Sequence, residues 1–276
     1  AGGRGANQAL AAARSGAKVA IIGKTGDDDY AKRILDKIRR EGVITTGVGK
    51  SEDNHTGLDI ICNGPNGDKQ IMKIPGANNE ATADQIPEEI LDDKGFLIIQ
   101  TELPMAENLA LLKKAKDTGA TTMMNLAPSL EIKQSVLNHL DYLVLNSNEA
   151  KKFADKLGLP AQGNIEKIAQ ALAQIGELNC IITTGPEGAI AYTTDGTGWR
   201  IKAFEVDEIV DKSGAEDAYC GTLAACLHAG MPLPRALKRA SIAGSLTCTA
   251  HGTQNAFPYL ADIDERINDL DDPEKV

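Results

Sequence analysis

Four short runs between residues 95 and 184 constrain this chain more than any other feature. They are Gly95–Gln100 (GFLIIQ), Thr121–Leu126 (TTMMNL), Tyr142–Leu145 (YLVL) and Asn179–Thr184 (NCIITT). Each is too short for a core helix and too continuously buried in character for a strand with one wet face. Between and after them, Pro104–Thr118, Ser147–Leu157 and Asn164–Ile175 have helical spacing. Such βα alternation predicts a mostly parallel sheet covered by helices on both faces. In open sheets of that kind, ligands sit outside the C-terminal ends of the strands. The functional residues are therefore expected at those ends.

The flanking segments extend the pattern. Gly5–Ser15 is an Ala-rich helix stopped by Gly16, Lys18–Gly23 a short strand, and Asp28–Glu41 an amphipathic helix stopped by Gly42. Thr56–Asn63 and Lys69–Pro75 are strand-like and flank Gly64-Pro65-Asn66-Gly67, a hairpin signal. Gly188–Thr193 and Trp199–Glu205 form a second hairpin around Asp195-Gly196-Thr197-Gly198. The last third is helical over Gly214–Ala229, Leu233–Ala250 and Tyr259–Asp269, with a frayed polar tail over 271–276. No linker divides the chain, so all 276 residues are expected to form one domain.

Composition excludes several function classes. The formal net charge of −10 disfavours nucleic acid and anionic membrane surfaces as partners. No apolar run approaches the length of a membrane span, and no signal peptide opens the chain, which gives a cytoplasmic location by default. Cys62, Cys180, Cys220, Cys226 and Cys248 form no C-x-x-C pair and are expected as buried, reduced thiols. The four histidines make no zinc spacing.

The segment Asp211-Lys212-Ser213-Gly214-Ala215-Glu216-Asp217 carries the chemistry. It is a small-residue turn opening a helix, so it presents backbone N–H groups suited to an anion. A carboxylate in the first helical turn sits beside that anion site, where it can accept a hydroxyl proton. Gly49-Lys50-Ser51 only imitates a P-loop, because Ile44 stands where the first glycine should be. Gly3-Arg4-Gly5 only imitates a dinucleotide fingerprint, because Gln8 holds the third glycine position. Glycines 2, 3 and 5 could let backbone approach a polyol beside Asn7, or could simply start a helix. Asn146 and Glu149 could form a helix capping box or hold the water shell of Mg²⁺. Thr183-Thr184-Gly185-Pro186-Glu187-Gly188 is a turn that could pass a ribose or phosphate.

Together these segments resemble the ribokinase branch of the PfkB carbohydrate kinases. GGRGANQA is similar to the N-terminal G-G-x-x-x-N signature, and VDKSGAEDAYCGTL to the C-terminal D-T-x-G-A-G-D signature. IPGAN (74–78), QTELP (100–104), NLAP (125–128), NSNE (146–149), TTGPEG (183–188) and HGTQ (251–254) follow in the family's order.

The resemblance implies a ribokinase-like three-layer, Rossmann-like α/β sandwich with a small β-sheet lid, inserted over about 47–77. Paired lids would make a homodimer. The implied reaction moves the γ-phosphoryl of ATP to the primary hydroxyl of a sugar, D-ribose first. Asp217 would be the base, and Gly214, Ala215, Glu216 and Asp217 would form the anion hole. Gly3, Arg4, Gly5, Ala6, Asn7, Glu102 and Asp217 would bind the sugar. Asn146, Thr183, Thr184, Gly185, Pro186, Glu187, Gly188, Glu216, Asp217 and Ser241 would bind the nucleotide. Mg²⁺ would be served by Asn146 and Glu149, and K⁺ by Asp211, Ser213, Thr247, Ala250, Gly252 and Ala256.

The sequence departs from the family in places. The family's first core strand and its N-x-D segment have no counterpart here: either the sequence is a fragment, or that strand and part of the sugar site and lid are lost, which would expose sheet edges. Arg4 replaces a common Lys, Ala256 a common Ser, and Glu216 the usual Gly of G-A-G-D. A carboxylate about 6 Å from a phosphoryl group, at an effective dielectric of about 20, would cost roughly 2–3 kcal/mol. Two other readings stay open: a catalytically weak paralogue that binds nucleotide or sugar, and a kinase for another sugar or a nucleoside. The hairpin over Thr56–Pro75 lacks aromatics, which favours a small sugar.

Overall fold

In the computed structural model, residues 1–63, 69–128, 132–159 and 163–276 are described. The hairpin turn Gly64-Pro65-Asn66-Gly67 lies outside the described residues.

The four runs form parallel strands β5 (Phe96–Gln100), β6 (Thr121–Asn125), β7 (Tyr142–Asn146) and β8 (Asn179–Thr183). Counting β1 (Ala20–Thr25), β2 (Ile44–Lys50), β3 (Leu58–Asn63) and β4 (Lys69–Ile74) before them, the sheet continues antiparallel through β9 (Ala189–Tyr192), β10 (Gly198–Ile201) and β11 (Glu274–Lys275). The described order is β11-β10-β9-β8-β7-β6-β5.

Strand pleating splits the core in two. Met124, Leu143, Leu145, Cys180 and Ile182 face one side, with α3 (Met105–Thr118), α4 (Ser147–Lys156) and α5 (Ile165–Gly176). Met123, Val144 and Ile181 face the other, with α6 (Ala215–His228), α7 (Leu233–Thr247) and α8 (Leu260–Glu265). Neighbouring residues of one strand thus serve opposite cores, as a period of two requires. The result is three layers with the sheet in the middle. Of the remaining helices, α1 (Arg4–Arg14) packs on α6, and α2 (Asp29–Arg40) is capped by the Asp28 side chain.

Four expectations change. First, residues from Gly47, read as lid, belong to β2, which pairs in parallel with β1 in a separate two-stranded sheet. Its glycines hid the strand: a Cβ on Gly47 would lie 2.6 Å from the Ile22 Cγ1 of β1. Second, the tail is not frayed. Glu274 and Lys275 pair with Arg200 and Trp199, and the Lys275 ammonium sits 5.3 Å from the Trp199 ring centre. Third, Cys62 is exposed on β3, whereas Cys180, Cys220 and Cys226 are buried and Cys248 is half-buried. All five are free thiols. Fourth, the last helix stops at Glu265, four residues before the expected Asp269.

The expected hairpin is present as antiparallel β3 and β4, with Ile60 opposite Met72 and Ile61 opposite Ile71. These four side chains are all exposed. Among the described strands, β5 has one hydrogen-bonded neighbour, β6, and β1 has one, β2. No described helix is long and apolar enough to cross a membrane.

Candidate active site

The site is built where α1 and α6 start side by side. Gly3 opens α1 at φ 92°, and Gly214 opens α6 at φ 85°, both in the left-handed region that favours glycine. At Gly214 space forbids a side chain as well, since a Cβ would fall 2.4 Å from the Thr253 Cγ2. The helices then pack closely because Gly221 faces Gln8, Ala11 and Ala12. That crossing brings α1 side chains onto the first turn of α6.

Asp217 is 5% exposed. The Asn7 Nδ2 donates to its Oδ2 at 2.7 Å and the Gln8 Nε2 to its Oδ1 at 3.0 Å. The Gln8 Nε2 also reaches the Asn125 Oδ1 at 3.0 Å, and the Gln100 Nε2 donates to the Gln8 Oε1 at 2.7 Å. The Gln254 Nε2 donates to the Asn7 Oδ1 at 3.0 Å. A chain of neutral amides therefore fixes the carboxylate. Burial pushes the Asp217 carboxyl above its usual range, while the Asn7 and Gln8 hydrogen bonds and the Arg4 charge oppose that rise. Such tuning suits a proton acceptor. Gln8, Asn125, Gln100 and Gln254 carried no assigned role in the sequence, although each lies in one of the family-like motifs, GGRGANQA, NLAP, QTELP and HGTQ.

Among the described residues, the backbone N–H groups of Gly214, Glu216 and Asp217 have no hydrogen-bond partner; that of Ala215 reaches the Lys212 carbonyl at 3.4 Å. Orphan donors at a helix start suit an anion. Arg4 lies across this turn, its Nη1 at 3.5 Å from the Glu216 Oε2 and 4.0 Å from the Asp217 Oδ1. Glu102 is near the Arg4 Nε at 3.8 Å and takes a hydrogen bond from Lys73 of β4 at 2.6 Å. The hairpin is thereby tied to the site. A Cβ on Gly5 would reach the Gln100 Oε1 at 3.4 Å, and Ala6 is half-buried beside Asn7.

Asn146 and Glu149 do form a capping box at α4. The Asn146 Oδ1 accepts from the Asn148 and Glu149 N–H groups at 3.0 Å, and the Glu149 Oε2 accepts from the Asn146 N–H at 2.9 Å. Glu149 is nonetheless 8% exposed, and burial pushes its carboxyl up to about 7. Among the described residues no three acidic, His or Cys side chains cluster as a metal cage. Mg²⁺ keeps waters and phosphate ligands and needs few carboxylates, and Asn146 and Glu149 offer oxygens of the type it takes.

The raised Glu149 pKa has a measurable consequence. The folded state holds this proton more tightly than the unfolded state, so stability is fully present below the unfolded pKa and falls as pH rises toward 7. Glu149→Gln keeps the capping acceptor and removes the charge. In metal-free buffer it should gain on the parent by about 1–3 kcal/mol between pH 5 and 8. Urea unfolding at the two pH values checks this; a constant difference would show that the buried charge carries no such penalty.

The turn after β8 follows at the same edge. Thr184 and Gly188 close it through a 2.8 Å backbone bond, with Gly185, Pro186 and Glu187 exposed at its tip. Gly188 is obligatory, since a Cβ would sit 1.9 Å from the Ile201 carbonyl oxygen. The Ser147 Oγ donates to the Thr183 carbonyl at 3.2 Å, which joins this turn to α4. Ser241 is buried on α7, and its hydroxyl donates to the Lys202 carbonyl at 2.8 Å. It supports the floor behind Gly188, with its hydroxyl already committed.

Of the residues suggested for K⁺, Asp211 joins two loops: its Oδ1 accepts from the Ser213 N–H at 2.9 Å and its Oδ2 from the Gly252 N–H at 3.1 Å. The Thr247 hydroxyl turns inward to the Ala243 carbonyl at 2.8 Å, and the Ala256 N–H bonds the Thr253 carbonyl at 3.1 Å. Ala250 is exposed. These residues offer backbone carbonyls, the Ser213 and Thr247 hydroxyls and the Asp211 carboxylate, oxygens of the type a hard cation takes.

Known proteins place this geometry in context. Residues 1–259 match the family described as pfkB family carbohydrate kinase. A ribokinase from Bacillus subtilis is 31% identical over 97% of this chain and 87% of its own. A deoxyribokinase from Salmonella typhi is 30% identical over the same shares. The structure of a ribokinase from Thermotoga maritima superposes with a TM-score of 0.88 at 25% identity, covering 97% of this chain and 87% of that one.

Proposed function

The chain belongs to the pfkB family of carbohydrate kinases, and on that premise we propose that it transfers the γ-phosphoryl group of ATP to the primary hydroxyl of D-ribose. The observation that carries this reading is the buried Asp217, held by neutral amides beside unpartnered helix N–H groups. Asp217 takes the hydroxyl proton as the sugar oxygen forms its bond to the γ-phosphorus. The bond from that phosphorus to the bridging oxygen breaks, and ADP leaves. The N–H groups of Gly214, Glu216 and Asp217 meet the charge that develops. Gly3, Gly5, Asn7 and Glu102 orient the sugar, and the turn 183–188 takes the nucleotide.

Magnesium bound with the nucleotide would offset phosphate charge, with Asn146 and Glu149 holding its waters. Potassium held around Asp211, Ser213, Thr247, Ala250, Gly252 and Ala256 would fix the loops beside the α6 turn.

The substrate reading is tested by ADP release with ATP, Mg²⁺ and K⁺ over D-ribose, 2-deoxy-D-ribose, D-fructose and adenosine. D-ribose should give the highest kcat/KM. The 30% identical deoxyribokinase makes 2-deoxy-D-ribose the second candidate. Preference for adenosine would overturn the small-sugar reading, and nucleotide binding without turnover would favour a weak paralogue.

The same hairpin supports a homodimer. Residues directly opposite share a face, so Leu58 with Ile74 and Ile60 with Met72 line one face, and Ile61 with Ile71 the other. Lys73 shares the face of Ile61 and Ile71 and reaches Glu102, so that face looks toward the site. The Leu58–Ile60 face looks away, and the same face on a second copy complements it by symmetry. A chain with Ile60→Lys and Met72→Lys should sediment as a monomer where the parent sediments as a dimer. A monomeric parent would refute the pairing.

A further inference from the structure

The Glu216 side chain has no task in the reaction described above. Among the described residues, Arg4 is the cation within 4.0 Å of it, at 3.5 Å. Both side chains keep partial exposure, 28% for Arg4 and 27% for Glu216. The same guanidinium also stands 3.8 Å from Glu102 and 4.0 Å from Asp217. None of these three separations is a close charge-assisted hydrogen bond, which would lie at about 2.7–2.9 Å. Arg4 is thus shared among three carboxylates and settled on none.

Their other partners differ. Glu102 has Lys73 at 2.6 Å, and Asp217 has Asn7 at 2.7 Å and Gln8 at 3.0 Å. From the elements packed around it, Asp217 faces Arg4, Asn7 and Gln8 on α1 and Glu216 on its own helix. If Arg4 closed on Asp217, a fork-shaped ion pair would hold the carboxylate in its charged form and weaken it as a proton acceptor. Glu216 is the carboxylate that competes with that closure from the same helical turn.

We propose that Glu216 is a positioning residue that draws the Arg4 guanidinium off Asp217, leaving the base held by neutral amides. Two residues that would each be a handicap alone then work as a pair. Glu216 keeps Arg4 from capturing the base, and Arg4 neutralises Glu216 beside the incoming phosphate. This inference rests on the kinase reading for its kinetic effect, but its geometry stands independently.

A cycle over Arg4→Gln, Glu216→Gln and the double variant tests it, reading kcat and sugar KM. Glu216→Gln should lower kcat about tenfold, the effect of one pKa unit on a base, with sugar KM moving less than about twofold. Glu216→Asp, which retains the charge, should recover most of the loss. In the Arg4→Gln background the sign should reverse: adding Glu216→Gln should raise kcat, because it removes an unneutralised carboxylate beside the phosphate. Equal effects of Glu216→Gln in both backgrounds would overturn the proposal.

A crystal structure of the Glu216→Gln variant supplies a second readout that needs no activity. The separation between Arg4 Nη1 and Asp217 Oδ1, 4.0 Å in the parent, should close to about 2.8 Å. If it closes in a protein that shows no kinase turnover, the kinase reading fails and the positioning role stands. If it stays open in an active enzyme with additive kinetics, the positioning role fails and the kinase reading stands.

Discussion

Asp217→Asn is expected to lower sugar-dependent ADP release by about 10²–10⁴-fold, the usual worth of a positioned general base. The substitution preserves volume and keeps one oxygen acceptor for the Asn7 or Gln8 amide. It removes a charge that burial already penalises, so the unfolding midpoint should move little. Nucleotide binding should persist, because the helix N–H groups and the turn after β8 are untouched. The pattern to look for in initial-rate kinetics is a fall in kcat with KM for ATP nearly unchanged. A variant that turns over at the parental rate would remove Asp217 from the chemistry.

The second large effect concerns stability. Gly221→Val should destabilise the protein by about 3 kcal/mol or more, at the upper end for overpacked cores. A Cβ at that position would lie 2.4 Å from the Gln8 carbonyl oxygen, 2.7 Å from the Ala11 Cβ and 2.9 Å from the Ala12 nitrogen. Two of these are backbone atoms that no rotamer change can move. The helix propensity gained by losing glycine is at most about 1 kcal/mol, so steric repulsion wins. Helix α1 must then lift off α6, carrying Asn7 and Gln8 away from Asp217. Activity should fall with stability, and urea unfolding gives the free energy. A variant with parental stability would show that the helix crossing has slack that the contacts do not suggest.

How much of this was legible in the sequence depends on the range of the interactions. The strands at 96–100, 121–125, 142–146 and 179–183 were readable because each carries apolar residues toward both faces, fully buried in the middle of β6, β7 and β8 and half-buried on the Phe96–Ile98 face of β5, and that leaves a local hydrophobic signature. Strand β2 was not, because Gly47 exists to accommodate Ile22 from another strand, and that reason is invisible in its own neighbourhood. The tail was misread for the same cause: Asp-Pro-Glu-Lys-Val has no strand pattern, and only the free edge of β10 makes it one. Exposed Cys62 broke the expectation of a buried thiol because both faces of the β3–β4 hairpin carry exposed side chains.

At the site, glycine-rich turns and Asp217 stood out in the sequence. The amide relay through Gln8, Asn125, Gln100 and Gln254 did not, since its members lie as far apart as 247 residues between Asn7 and Gln254. Nor could the sequence show that two of its departures from the family signatures, Arg4 and Glu216, meet at 3.5 Å. The cost assigned to an isolated Glu216 carboxylate is offset in part by this neighbour. Asn146 and Glu149 left a choice between capping and metal service; the capping box is present, and metal service belongs to the proposed function alone.

The most direct measurement is ³¹P NMR of the intact chain incubated with ATP, Mg²⁺, K⁺ and D-ribose. The signals of ATP should give way to those of ADP, with a new phosphomonoester resonance coupled to the C5 methylene protons of the sugar. ATP that stays intact, or that yields only ADP and inorganic phosphate at a rate indifferent to sugar, would contradict phosphoryl transfer from this site to a ribose hydroxyl.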